Sequence, residues 1–138
     1  MPKVWSLAAA FAHFGASGKN PRWSWSARSS DGAIVVLTLW RDEFDYTTKP
    51  VSYSSFGHKV DLWLTRPGNK ERLENLIWAR DRCNGRFRVV VTVAEDISAD
   101  PRKIASCAPQ ERMIMRLVEL NETTGEFRAE LVEDRPRG

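Results

Sequence analysis

Apolar and polar positions alternate most regularly over Arg86 to Ala94, where Phe87, Val89, Val91 and Val93 fall on one face and Arg86, Arg88, Val90 and Thr92 on the other. Side chains of an extended chain point to opposite faces in turn, so this period of two predicts a strand. The same period runs from Arg22 to Arg28, with Trp23, Trp25 and Ala27 opposed to Arg22, Ser24, Ser26 and Arg28. Ala33 to Trp40 is an almost unbroken apolar, β-branched run, the signature of a strand covered on both faces. Between them Ser29-Ser30-Asp31-Gly32 contains an Asp-Gly step that accommodates positive φ, which makes the pair a hairpin. A second hairpin joins Arg112–Leu120 to Phe127–Val132 through Asn121-Glu122-Thr123-Thr124-Gly125, and Val60 to Thr65 reads as a short strand.

Two segments carry helical spacing. In residues 3 to 14, Val4, Leu7, Phe11 and Phe14 recur three and four apart, and Gly15 is placed to stop the helix. Thr65 to Gly85 opens on Pro67 and Gly68, presents Leu73, Leu76 and Ile77 as an apolar stripe, and closes on Asn84-Gly85. At about 100° per residue, Arg80 projects near the middle of that stripe and Trp78 to the opposite side. Asp100-Pro101 predicts a short helical turn through Ser106 that Pro109 ends. Ser17 to Pro21 and Arg41 to Lys59 show no sustained period and read as loops, the second a long one, and the charged tail from Glu133 should fray. The expected fold is one α+β domain over residues 1–138. Its sheet has five or six mainly antiparallel strands with room to curl into a partial barrel, and it carries two main helices and one short helical turn.

A chain of 138 residues needs only one core, and 42% hydrophobic with 28% charged residues is ordinary for a globular protein. The N-terminal apolar run is interrupted by Ser6 and His13 and is rich in alanine, too weak for a secretory signal and too short to span a bilayer. Cys83 and Cys107 are too few for a disulfide framework, so the expectation is a reducing, cytoplasmic setting with no membrane partner. Net charge is only +3, but its distribution is uneven: residues 1–90 hold 14 Lys/Arg against 8 Asp/Glu, whereas residues 91–138 hold 7 against 10. All six tryptophans and both tyrosines lie in the basic part.

His13, His58, Cys83 and Cys107 are scattered and fit no metal-ligand spacing, so neither metal nor cofactor is expected. Gly15-Ala16-Ser17-Gly18-Lys19 fails as a phosphate-binding loop, because its glycines are too close, Asn20 follows the lysine and a helix precedes it. Asp42, Glu43 and Asp45 read as a solvated strand end, and Cys83 as ordinary packing. No catalytic set assembles.

Two features point to a ligand. Trp23 and Trp25, flanked by Lys19, Arg22 and Arg28, form a stacking surface for bases if they face solvent, although a tryptophan pair on a hairpin more often packs beneath a helix. Arg80, Arg82, Arg86 and Arg88 surround the Asn84-Gly85 corner and concentrate positive charge there, with Glu74 and Asp81 offsetting part of it. The leading expectation is a nucleic-acid-binding or base-reading module in which Trp23 and Trp25 stack while Lys19, Arg22, Arg28, Arg80, Arg86 and Arg88 contact the backbone. A protein-interaction or oligomer-forming subunit, pairing through the last hairpin or Trp78, is the alternative, and an enzyme ranks third.

Overall fold

The computed structural model describes residues 4–20, 24–56, 66–99 and 103–132. In chain order they form α1 (Leu7–His13), β1 (Ala16–Ser17), β2 (Ser26–Ser29), β3 (Val35–Trp40), a 3-10 turn (Arg41–Glu43), β4 (Phe44–Asp45), β5 (Ser52–Ser54), α2 (Pro67–Arg82), β6 (Arg86–Ala94), β7 (Ile104–Leu120) and β8 (Phe127–Leu131). The strands make one sheet in the order β1-β2-β3-β6-β7-β8-β5-β4. Every neighbouring pair is antiparallel except β3 and β6, which run parallel from Val36 beside Arg88 to Trp40 beside Thr92.

The α+β class and the two helices match the sequence reading, while the sheet differs in three respects. It has eight strands, not five or six; it is mixed; and it stays open instead of curling into a barrel. The extra strands come from segments expected to be loops. Ala16–Ser17 pairs with β2, and the stretch after Trp40 holds β4 and β5, with β5 hydrogen-bonded to β8. Strands of two or three residues are too short to show a period, and their pairing is set by a distant partner. Parallel pairing follows from the crossover through α2, since parallel neighbours need a long connection.

The helical turn expected up to Ser106 is replaced, in its described part, by strand: Ser106 lies opposite Val93 and Ile104 opposite Ala94. Pairing with β6 supplies the backbone partners that a local cap would have offered, and Pro109, expected as a stop, sits within β7 opposite Val90. The expected strand at 60–65, the end of the long loop and the tail from 133 lie outside the described residues.

The core lies on both faces of the sheet. Against α2 it contains Val35, Leu37, Leu39, Leu76, Ala79, Phe87, Val89, Met115 and Phe127. Beneath α1 it contains Ala10, Phe11, Ala27, Val36 and Val90. The central strand β3 is thus covered on both faces, as its apolar run predicts; each large side chain so buried stabilises by about 1.5–3 kcal/mol.

Ser6 caps α1, its Oγ accepting the Ala9 N–H at 3.1 Å, so Val4 precedes the helix and stands 93% exposed instead of joining the stripe. Gly15 ends α1 at φ +72°. Pro67 opens α2, and Asn84 (φ +56°) and Gly85 (φ +75°) close it with the Gly85 N–H donating to the Ala79 carbonyl at 2.8 Å.

The buried face of α2 is not the expected stripe. It consists of Gly68, Asn69, Glu71, Asn75, Leu76 and Ala79, while Leu73 and Ile77 are half-buried and Arg80 is exposed. Half of this face is polar, and it is bonded by backbone and side-chain groups of other elements, the Thr124 carbonyl for Asn69, the Lys19 N–H for Glu71 and the Ser26 hydroxyl for Asn75, a pattern that apolar periodicity misses.

Candidate functional site

The polar face of α2 meets β2 through Asn75. Its Nδ2 donates to Ser26 Oγ at 2.8 Å, and its Oδ1 accepts from Arg28 Nε at 3.0 Å. Held this way, the Arg28 guanidinium lies over the Trp78 ring, 4.2 Å from its centroid. Arg82, one helical turn after Trp78, places its guanidinium over the same ring at 4.6 Å.

The indole itself is fixed by the hairpin turn, its Nε1–H donating to the Gly32 carbonyl at 2.8 Å. A Cβ on Gly32, whose φ is +74°, would lie 2.7 Å from Trp78 Cζ2, so only glycine admits the ring here. Among the described residues, none of Arg28, Arg82 and Arg86 forms an ion pair. A half-buried indole therefore carries two guanidiniums that form no ion pair among the described residues, with Asp81 near enough to Arg82 to feel its charge, and Arg86 follows just past the Asn84-Gly85 turn.

The residues singled out from sequence divide among three places. Lys19 reaches α2, where its backbone N–H donates to Glu71 Oε2 at 2.7 Å and its ammonium pairs with Glu74 Oε1 at 2.6 Å. The hydrogen bond to Glu74 raises the Lys19 pKa. Trp25 is half-buried against the same helix, with the Arg72 guanidinium 5.1 Å from its ring centroid. Strict alternation fails there, because Ala27 packs in the α1 core. Arg22 and Trp23 lie outside the described residues.

Arg80 pairs with Asp81 at 3.0 Å and with Glu122 at 3.2 Å, so it ties α2 to the turn between β7 and β8. Arg86 opens β6 opposite Arg116. Arg88, two residues on and so on the same face of β6, lies on the α1 side of the sheet, its Nη1 donating to the Glu111 carbonyl at 2.8 Å and its guanidinium 5.9 Å from the Phe14 ring. The expected positive track from Arg80 through Arg88 is thus split between the two faces. What the sequence reading passed over is the joint of Trp78 with Arg28; the four-residue spacing of Trp78 and Arg82 was its visible half.

A second polar cluster lies within the core. Tyr53 donates to Glu43 Oε1 at 3.0 Å and accepts the Trp40 N–H at 3.2 Å, so Glu43 serves an internal bond and is not part of a solvated strand end. Burial, followed by the nearby Glu43 carboxylate, raises the Tyr53 pKa. Burial also lowers that of Arg72 to about 10, against the opposing pull of Tyr53 and Glu43. The Arg72 guanidinium stands 5.2 Å from the Phe127 ring, which stacks on Tyr53 at 5.9 Å.

Among the described residues no group of three His, Cys, Asp or Glu is placed to hold a metal ion, and no helix is long and apolar enough to cross a membrane. Both cysteines are free thiols, and burial raises the pKa of each. Comparison of the chain with models of protein families, with curated proteins and with solved structures finds no match.

Proposed function

We propose that this chain is a nucleic-acid-binding module without catalytic activity of its own, and that it grips its ligand at the Trp78 corner. The observation that supports this reading is the Trp78 indole carrying Arg28 and Arg82 at 4.2 and 4.6 Å, neither in an ion pair among the described residues. Stacking pre-orders the guanidinium planes, so less rotamer freedom is lost when they meet phosphate or the face of a base. Lys19 and Arg80 contribute less, since Glu74 and the Asp81/Glu122 pair already occupy them.

The test is fluorescence anisotropy of labelled single- and double-stranded oligonucleotides across a salt series. Each phosphate contact adds about −0.9 to the slope of log affinity against log salt on duplex and about −0.7 on single strands. The double variant Arg82→Glu/Arg86→Glu should bind at least about tenfold more weakly and lose about one to two units of slope. Lys19→Glu should change affinity only slightly. Absence of binding at about 50 mM salt, or equal binding by the double variant, would overturn the proposal.

A protein-interaction role is the second reading, favoured by Ile97, within the β6–β7 connection, and Ile104, at the start of β7, which are 60% and 42% exposed. It requires a discrete oligomer or complex in light scattering, and a monomer at high concentration that captures no partner counts against it.

A further inference from the structure

On the face of the sheet away from Trp78, Trp5, the end of α1 and β7 border an open cleft of about 380 Å³ lined by Trp5, His13, Pro109, Gln110, Glu111 and Arg112. That volume lies within the usual range of small-molecule sites. Its shape comes from a break in the β6–β7 ladder. Arg88 pairs with Ile114 but Val89 pairs with Gln110, so Glu111, Arg112 and Met113 have no partner on β6 and bulge from the strand. Bulges of this kind re-aim side chains and are frequent beside binding sites.

The lining has a definite chemistry. Trp5 stands perpendicular to His13, the rings 5.5 Å apart at 85°, so they form two walls meeting at a right angle. His13 Nε2 lies 3.0 Å from Glu111 Oε1, which ties the bulge to α1, and Arg88 holds the Glu111 backbone through its carbonyl. The one acid of the cleft is therefore engaged. Arg112 is exposed and forms no ion pair among the described residues, so its guanidinium is the cationic group open to a ligand. Gln110 uses its Nε2 in a long 3.4 Å bond to the Ala108 carbonyl, which leaves its amide oxygen as an acceptor.

We propose that this cleft binds a planar heteroaromatic ring bearing an anionic group, of the size of a nucleoside monophosphate. The ring packs against Trp5 and Pro109, an amino or imino edge donates to Gln110 Oε1, and the anion pairs with Arg112. The site is separate from the Trp78 corner, and neither proposal depends on the other.

The probes are AMP, UMP, indole-3-acetate and inorganic phosphate, each titrated into the isotope-labelled full chain while the Trp5 indole N–H and the His13 ring are followed by NMR. A ring-bearing anion should shift both signals saturably. Arg112→Glu should weaken that binding at least about tenfold and Gln110→Ala severalfold, while Arg82→Glu/Arg86→Glu leaves it unchanged. Preference for the nucleotides over indole-3-acetate assigns the ring to a nucleobase, and the reverse assigns it to an aromatic carboxylate. Arg112 lies on the bulge and half-buried Gln110 just before it, and circular dichroism checks the folding of both variants. The proposal is overturned if no ring-bearing anion shifts the signals at about 5 mM, if phosphate alone shifts them equally, or if folded Arg112→Glu binds like the parent.

Discussion

Asn75→Leu tests whether the joint between α2 and β2 is a polar one. Asn75 is 4% exposed and Ser26 is fully buried, so leucine removes the 2.8 Å bond to Ser26 Oγ and leaves that hydroxyl with neither protein nor water. An orphaned buried hydroxyl costs about 1–3 kcal/mol, and the lost bond from Arg28 Nε adds about 1 kcal/mol, reduced from the value for a charged donor because half-exposed Arg28 can turn to water. Leucine regains part through its apolar area, which leaves a net loss of about 2–3 kcal/mol. Urea denaturation followed by tryptophan emission should show this as a lower midpoint with unchanged slope.

The companion variant Asn75→Leu/Ser26→Ala removes both partners at once. It should be more stable than Asn75→Leu alone by about 1–2 kcal/mol, since replacing a bonded pair by apolar groups is close to neutral. A single variant within about 0.5 kcal/mol of the parent, or a cycle additive within about 0.3 kcal/mol, would refute the reasoning and mean that α2 is held by its apolar residues alone.

Gly32→Ala should destabilise by about 2–3 kcal/mol, from the left-handed φ of +74° and from a Cβ placed 2.7 Å from Trp78 Cζ2, and should alter the tryptophan emission because the indole must move. Asp31 is held below its ordinary pKa of 3.8, first by the Ser29 hydroxyl and then by the Ala33 N–H. A carboxyl so depressed stabilises the fold above its unfolded pKa and loses that contribution as pH falls through the folded value. Thermal melts from pH 5 downward should therefore show a shallower acid decline for Asp31→Asn than for the parent, and parallel declines would count against it. Part of the slope should remain in the variant, because Thr47 and Ser98 hold Asp45 and Asp96 down in the same way.

Legibility in the sequence followed the length scale of the pattern. β6 spans the predicted Arg86–Ala94, and the stops at Gly15, Gly32, Gly85 and Gly125 all carry positive φ, because nine-residue alternation and left-handed turns are local properties. β4 and β5 were hidden because two or three residues acquire strand geometry only from partners far along the chain; Ser54 pairs with Arg128. The face of α2 was misplaced for a related reason. Asn69, Glu71 and Asn75 look like solvent-facing residues until Thr124, Lys19 and Ser26 arrive to bond them. Candidate site residues were legible as types but not as a constellation. Trp78 stood off the apolar stripe in the sequence, yet its stacking partner Arg28 comes from a strand fifty residues earlier.

The parallel join of β3 to β6 sets an order of events for the nascent polypeptide. Val36 to Trp40 leave the ribosome well before Arg88 to Thr92 exist, so the most apolar strand of the protein waits with one edge bare while some fifty residues are made. Until then the N-terminal hairpin has no neighbour to shield that edge, and a strand in this condition is a template for association with other chains. Translation speed across α2, and whatever chaperone meets the chain in that interval, therefore bear on its yield.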